Sequence, residues 1–187
     1  MFARNGAAGR LPRPRRGERH EGSGIPDLRD CNGGRVAFPA EAQQALDAAV
    51  EAFWKSAPLT FKNARFVEDA QGFGDYTAHS GNSFAPSANL QVYLEPQGFG
   101  WAEVADGYKI AFSSEIEIRN ASGQILTKSA TPALFEKVGR NKNREFQITV
   151  GFQLPALKAG DYVLVLNVTD TTTGRSAPLE LPFTVSG

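Results

Sequence analysis

Residues Gly160–Val185, GDYVLVLNVTDTTTGRSAPLELPFTV, decide the fold class. Tyr162, Leu164, Leu166 and Val168 recur at every second position. After a polar break, Leu179, Leu181, Phe183 and Val185 do the same. Successive side chains of an extended chain point to opposite faces, so each set lines one face of a strand. Between them Asp170-Thr171-Thr172-Thr173-Gly174 is turn chemistry, with Gly174 free to take positive φ. Val163 and Val165 are apolar too, which predicts cover on both faces of the first strand, as for a central strand. Pro182 falls on the outward side of the second strand; lacking an N–H, it predicts an edge.

The same alternation recurs upstream. Leu59–Val67 reads as a strand with a break near Asn63-Ala64 that predicts a bulge. Gln71–Pro86 is loop-like, with a short strand at Tyr76–His79. Leu90, Val92 and Leu94 form a strand ending at Glu95-Pro96. Tyr108, Ile110, Phe112, Ser114, Ile116 and Ile118 hold one parity against Lys109, Glu115, Glu117 and Arg119, which predicts a long strand with one wet face. Asn120–Gly123 is a turn, Gln124–Ser129 a short return strand, and Leu134–Arg144 polar and irregular. Phe146, Ile148, Val150 and Phe152 alternate once more. Seven to eight strands at roughly ten-residue spacing predict an all-β, antiparallel immunoglobulin-like or fibronectin-III-like β-sandwich.

Ahead of the strands lies one helical pattern. Ala42, Ala45, Leu46, Ala49, Val50, Phe53 and Trp54 have the spacing of one helix face within Pro39–Ser56, and Ala57-Pro58 ends it. We expect that face to pack on the sheets. The chain therefore divides into a tail (1–35), a packing helix (36–57) and a sandwich (58–187). The tail carries eight Arg and four acids, so its charge of +4 is balanced by −4 on the rest of a neutral chain. Poor in apolar residues, it is expected to be disordered. It reads as a solvated tail, as an upstream extension from a misassigned start, or as an Arg-rich nucleic-acid arm that lacks interleaved aromatics. As the sequence stands, Arg15-Arg16 is followed by GERHEGSGIPD rather than an apolar export segment. No run approaches the roughly 18 apolar residues of a membrane helix.

Reactive groups are sparse. The 187 residues include one cysteine, Cys31, and two histidines, His20 and His79. No HxH, HExxH or CxxC spacing occurs, so neither a metal nor a cofactor is expected. His79 has no GxSxG nucleophile elbow to serve, and the glycines of GFG at 72–74 and 98–100 open no dinucleotide loop. No catalytic residue is predicted. Glu95, Glu103 and Asp106 bracket EPQGFGWAEVADG and would serve a carboxylate-dependent hydrolase only if held about 5–10 Å apart. The denser signal is aromatic: Phe73, Tyr76, Phe84, Tyr93, Phe99, Trp101 and Tyr108 fall within 36 residues, among glycines and beside Asn82, Glu95 and Gln97. Rings beside amides and carboxylates hold sugar faces or peptides. Phe73, Tyr76, Phe84, Glu95, Phe99 and Trp101 are therefore the predicted ligand-binding set; the alternative is that the rings plug the end of the sandwich.

FAPSANLQVYLEPQGFGW (84–101) and LKAGDYVLVLNVTDTTTGRSAPLELPFTV (157–185) resemble recurrent segments of uncharacterised exported β-sandwich proteins of bacteria. The resemblance covers roughly 58–187. Where those proteins carry an acidic, PGE-like turn, this chain reads Pro86-Ser87-Ala88-Asn89, so no role for that acid carries over. The resemblance implies an extracytoplasmic location and transfers no catalytic residue. The function expected from sequence is thus a non-catalytic binding module of an envelope or secreted protein with a glycan or protein ligand; the alternatives are the hydrolase and nucleic-acid binding through the tail.

Overall fold

The computed structural model describes residues 39–187; the expectations for the Arg-rich tail and Cys31 lie outside them. Helix α1 (Ala40–Ser56) is followed by β1 (Thr60–Gly72), β2 (Asp75–Ala78), β3 (Ser83–Phe84), β4 (Asn89–Gln97) and β5 (Ala102–Val104). Then come β6 (Gly107–Asn120), β7 (Ile125–Lys128), β8 (Ala133–Gly139), β9 (Ile148–Gln153), β10 (Gly160–Asp170) and β11 (Arg175–Val185). Strands hold 56% of these residues, which are thus mostly β with one helix. One sheet has the order β2-β1-β4-β9. The other runs β3-β11-β10-β6-β5, with β7 and β8 also on β6, and the pair curls toward a half-barrel.

The opening stretch behaves as its alternation requires. β10 and β11 pair without slip from Gly160↔Val185 to Asp170↔Arg175, and β10 pairs with β6 on its other side. Leu164, Leu166 and Val168 join Leu90, Val92 and Leu94 of β4 in one core with Phe112, Ile118, Ile148 and Val150. Each such side chain contributes about 1.5–3 kcal/mol by leaving water. On the opposite face Val165 is also buried, but its cover is ionic. It stands between Glu117 and Glu180 in register; Arg119 pairs with Glu117 on its own strand at 2.7 Å and reaches Glu180 across β10 at 3.9 Å. The Arg119 stem thereby shields the valines while its head stays wet. The Arg119 guanidinium, with Lys128 beside it, holds the Glu117 carboxyl below the usual range.

Three differences from the sequence reading have physical causes. Eleven strands replace seven or eight, because β3 and β5 are too short to show a period and β8 has none. β8 lies inside the stretch read as irregular, pairing with β6 from Ala133↔Ser114 to Gly139↔Tyr108. Its Leu134 and Val138 face solvent and its Glu136 and Lys137 are exposed, the mixed surface of an edge strand. Third, the apolar face of α1 is not buried: Leu46 is 63% and Phe53 74% exposed. A stripe of alanines offers too little area to hold it down.

Among the described residues the helix is fastened near its base. Trp54 donates from Nε1 to the Phe99 carbonyl at 2.7 Å and meets the Phe99 ring edge-on. Glu51 pairs with Lys142 at 2.7 Å and Lys55 at 2.8 Å, which together lower its carboxyl pKa to about 2. Arg175 donates to the carbonyls of Lys55, Ala57 and Gly98, supplying partners that helix ends lack.

Candidate ligand-binding surface

The predicted ring set divides among three places. Phe99 is fully buried, with Trp54, Trp101, Phe112 and Phe146 centred 5.3–6.3 Å away. The flanking glycines turn it inward. Gly98 has φ +74° and lies against the Pro58 carbonyl; Gly100 sits against Thr173 while its N–H donates to buried Asp170 at 2.8 Å. Trp101 is half-buried, stacked on Trp54, with Nε1 donating to the Asn143 carbonyl at 2.8 Å. Phe84 is buried with Phe66 and Phe183, beneath the His79 ring. Phe99 and Phe84 are thus core residues, as the plugging alternative has it.

Tyr76 and Glu95 do come together, around a residue outside the predicted set, and Phe73 stands apart at the tip of the hairpin that covers it. Leu90, Val92 and Leu94 point into the core, so Tyr93 and Glu95 point out of it. Tyr93 is nevertheless fully buried, because the β1–β2 hairpin folds over it. Tyr76 lies 4.4 Å from its ring, with the Arg65 guanidinium 5.3 Å above Tyr76. The Tyr93 hydroxyl donates to Glu95 Oε1 at 2.8 Å and accepts the Gly74 N–H at 2.7 Å. Glu95 Oε2 accepts from Asn63 Nδ2 at 2.9 Å. Asn63 holds φ +52° in the bulge that shifts the register between Lys62 and Arg65, and this turns its amide toward the carboxylate. The signal available in sequence was Tyr-x-Glu on the outward parity of an otherwise apolar strand.

Burial, with Glu95 beside it, raises the Tyr93 phenol from its usual 10.0 to about 12. The folded state therefore keeps a proton that the unfolded chain gives up. This contribution to stability is complete below pH 10 and is lost as the pH climbs toward 12. Tyr93→Phe removes the latch, orphans the Gly74 N–H and should cost about 1–3 kcal/mol. Spectrophotometric titration should lose its latest phenol, and an unchanged titration would place that late phenol elsewhere.

The latch positions the hairpin tip, where Phe73 is 42% exposed beside a groove of about 280 Å³. Gln71, Lys137, Glu145 and Gln147 line it over buried Phe146. The buried Gln147 amide oxygen has no hydrogen-bond partner among the described residues. An open ring face, two amides and two opposite charges suit a neutral, hydroxyl-rich or amide-rich ligand.

Other chemistry does not converge. Glu103 and Asp106 are exposed on the β5–β6 hairpin of the second sheet, whereas Glu95 is buried in the first with both oxygens occupied. A cleft of about 230 Å³ beside His79, Ser83 and Gln91 is lined by no carboxylate, and His79 Nδ1 is 2.6 Å from the Gly81 carbonyl. Among the described residues no three His, Cys, Asp or Glu side chains are grouped to hold a metal, and no helix is long and apolar enough to cross a membrane. The chain matches no protein-family model and no curated protein.

Proposed function

We propose that this chain is a non-catalytic binding module of a bacterial envelope or secreted protein, with an immunoglobulin-like or fibronectin-III-like sandwich as scaffold. Its ligand is a glycan or an extended peptide held in the groove beside Phe73. One observation carries the reading: a buried, fully hydrogen-bonded Tyr93–Glu95–Asn63 latch supports a hairpin tip whose ring is left open to solvent. The extracytoplasmic setting rests on the resemblance of 84–101 and 157–185 to exported proteins.

The test is binding to a glycan and peptide panel and to envelope fractions. Phe73→Ala should weaken binding at least about tenfold, the worth of one ring–ligand contact. Its melting temperature should stay put, because the ring is half in water. Binding that ignores Phe73→Ala and Gln147→Ala, or none across the panel, defeats the proposal. The hydrolase reading has less support, since its three carboxylates lie on different sheets. Nucleic-acid binding through 1–35 predicts steep salt dependence that disappears with the tail.

A further inference from the structure

We infer that the exposed face of α1 is a self-association surface, on which a second copy of this chain lays its own α1 antiparallel. The only partly buried residues of the helix are Val50, Glu51 and Trp54, close together near its base. The apolar stripe points elsewhere. Ala42, Ala45, Ala49 and Ala52 follow the 3-4-3 spacing of a helix–helix seam. Leu46 and Phe53, seven residues apart, run along one flank at 63% and 74% exposure. Two large apolar side chains that project from a helix without touching their own core are what a partner surface leaves when it is absent.

The occupant follows from shape and charge. Alanines along the seam let two such helices approach closely, and Leu46 and Phe53 of each copy then close over the alanines of the other. Glu41, Ala48 and Lys55 are also spaced by seven, along the opposite flank; Glu41 is in the first turn and Lys55 in the last. Turned antiparallel, with Ala45 of one copy on Ala49 of the other, Glu41 of each comes within reach of Lys55 of its partner. A parallel pair would instead set the Glu41–Lys55 flank of each copy against the Leu46–Phe53 flank of the other, leaving both charges without an opposite. Antiparallel axes also oppose the two helix dipoles. The symmetry is isologous and closes at two copies.

Sedimentation velocity of the full chain, from about 1 to about 500 µM, should show a monomer–dimer equilibrium. Leu46→Glu and Ala49→Glu change exposed helix positions and should each raise the dissociation constant at least about tenfold with the fold intact by circular dichroism. Direction is read by disulfide formation between Ala42→Cys and Ala52→Cys chains, both carrying Cys31→Ser. Antiparallel pairing gives the mixed product, since ten residues at 1.5 Å each put like positions about 15 Å apart along the axis. A monomer throughout the range overturns the inference. So does a dimer indifferent to both Glu variants, or one that links only like positions. If the chain's own 1–38 covers the stripe, Ala49→Glu would leave the mass unchanged and expose that segment to protease, which also overturns it.

Discussion

Phe99→Ala is expected to lower stability by about 3–5 kcal/mol, the range for emptying a buried phenylalanine site. With domains of this size commonly stable by about 5–15 kcal/mol, that is a large fraction of the total. Phe99 has no exposed surface and meets four other rings, from α1, β6 and the segments flanking β5 and β9. Its space cannot simply collapse, because the glycine on either side is fixed against backbone or against Thr173. The Trp54 ring loses its edge-on partner, although the carbonyl that its Nε1 reaches remains, so the loss should include some helical signal. Guanidinium unfolding followed by near- and far-ultraviolet circular dichroism measures both. If instead the variant kept its stability and lost only ligand, Phe99 would be the binding residue its sequence context predicts.

Asp170→Ala should do comparable damage through polarity, not volume. The carboxylate is 1% exposed and accepts from the Gly100 N–H, the Thr172 N–H and hydroxyl, and the Thr173 hydroxyl, all within 2.9 Å. Burial alone would raise its pKa, but those donors outweigh it and leave the carboxyl below its ordinary 3.8. The stability it supplies is present above that value and is lost as the pH falls through the folded-state pKa. Alanine strands two N–H groups and two hydroxyls, at about 3 kcal/mol or more, while asparagine keeps one acceptor and should cost less. Melting curves of both variants from about pH 7 down to about pH 2.5 provide the check. The wild-type advantage should shrink at the acid end for each, and a pH-independent gap would assign the effect to packing.

How far the sequence could be read depended on which side of each strand had a job. Where core-facing residues keep one parity along the whole strand, as in β6 and β10, the alternation printed the strand directly. The break at Asn63-Ala64 even marked the bulge. β8 was illegible because an edge strand with Leu134 and Val138 outward and charges between them has no period to see. The helix was legible as a helix, but its burial was not: spacing defines a stripe without saying what lies opposite. Among the rings, parity separates Tyr93 from its core-facing neighbours Val92 and Leu94, and so could have pointed to the latch. Phe99 lies outside any strand, in a glycine-flanked turn, and its direction is set by Pro58, Asp170 and Thr173 from far along the chain.

Arg175 has a mechanical consequence. Its guanidinium binds carbonyls of Lys55, Ala57 and Gly98 from the start of β11, more than seventy residues away from each in sequence. A pull on the helix therefore does not reach only β1, its covalent neighbour. It is shared with the β10–β11 ribbon, whose ladder runs unbroken through eleven residue pairs. Anything tethered through the helix would thus be anchored to that unbroken ladder as well as to β1.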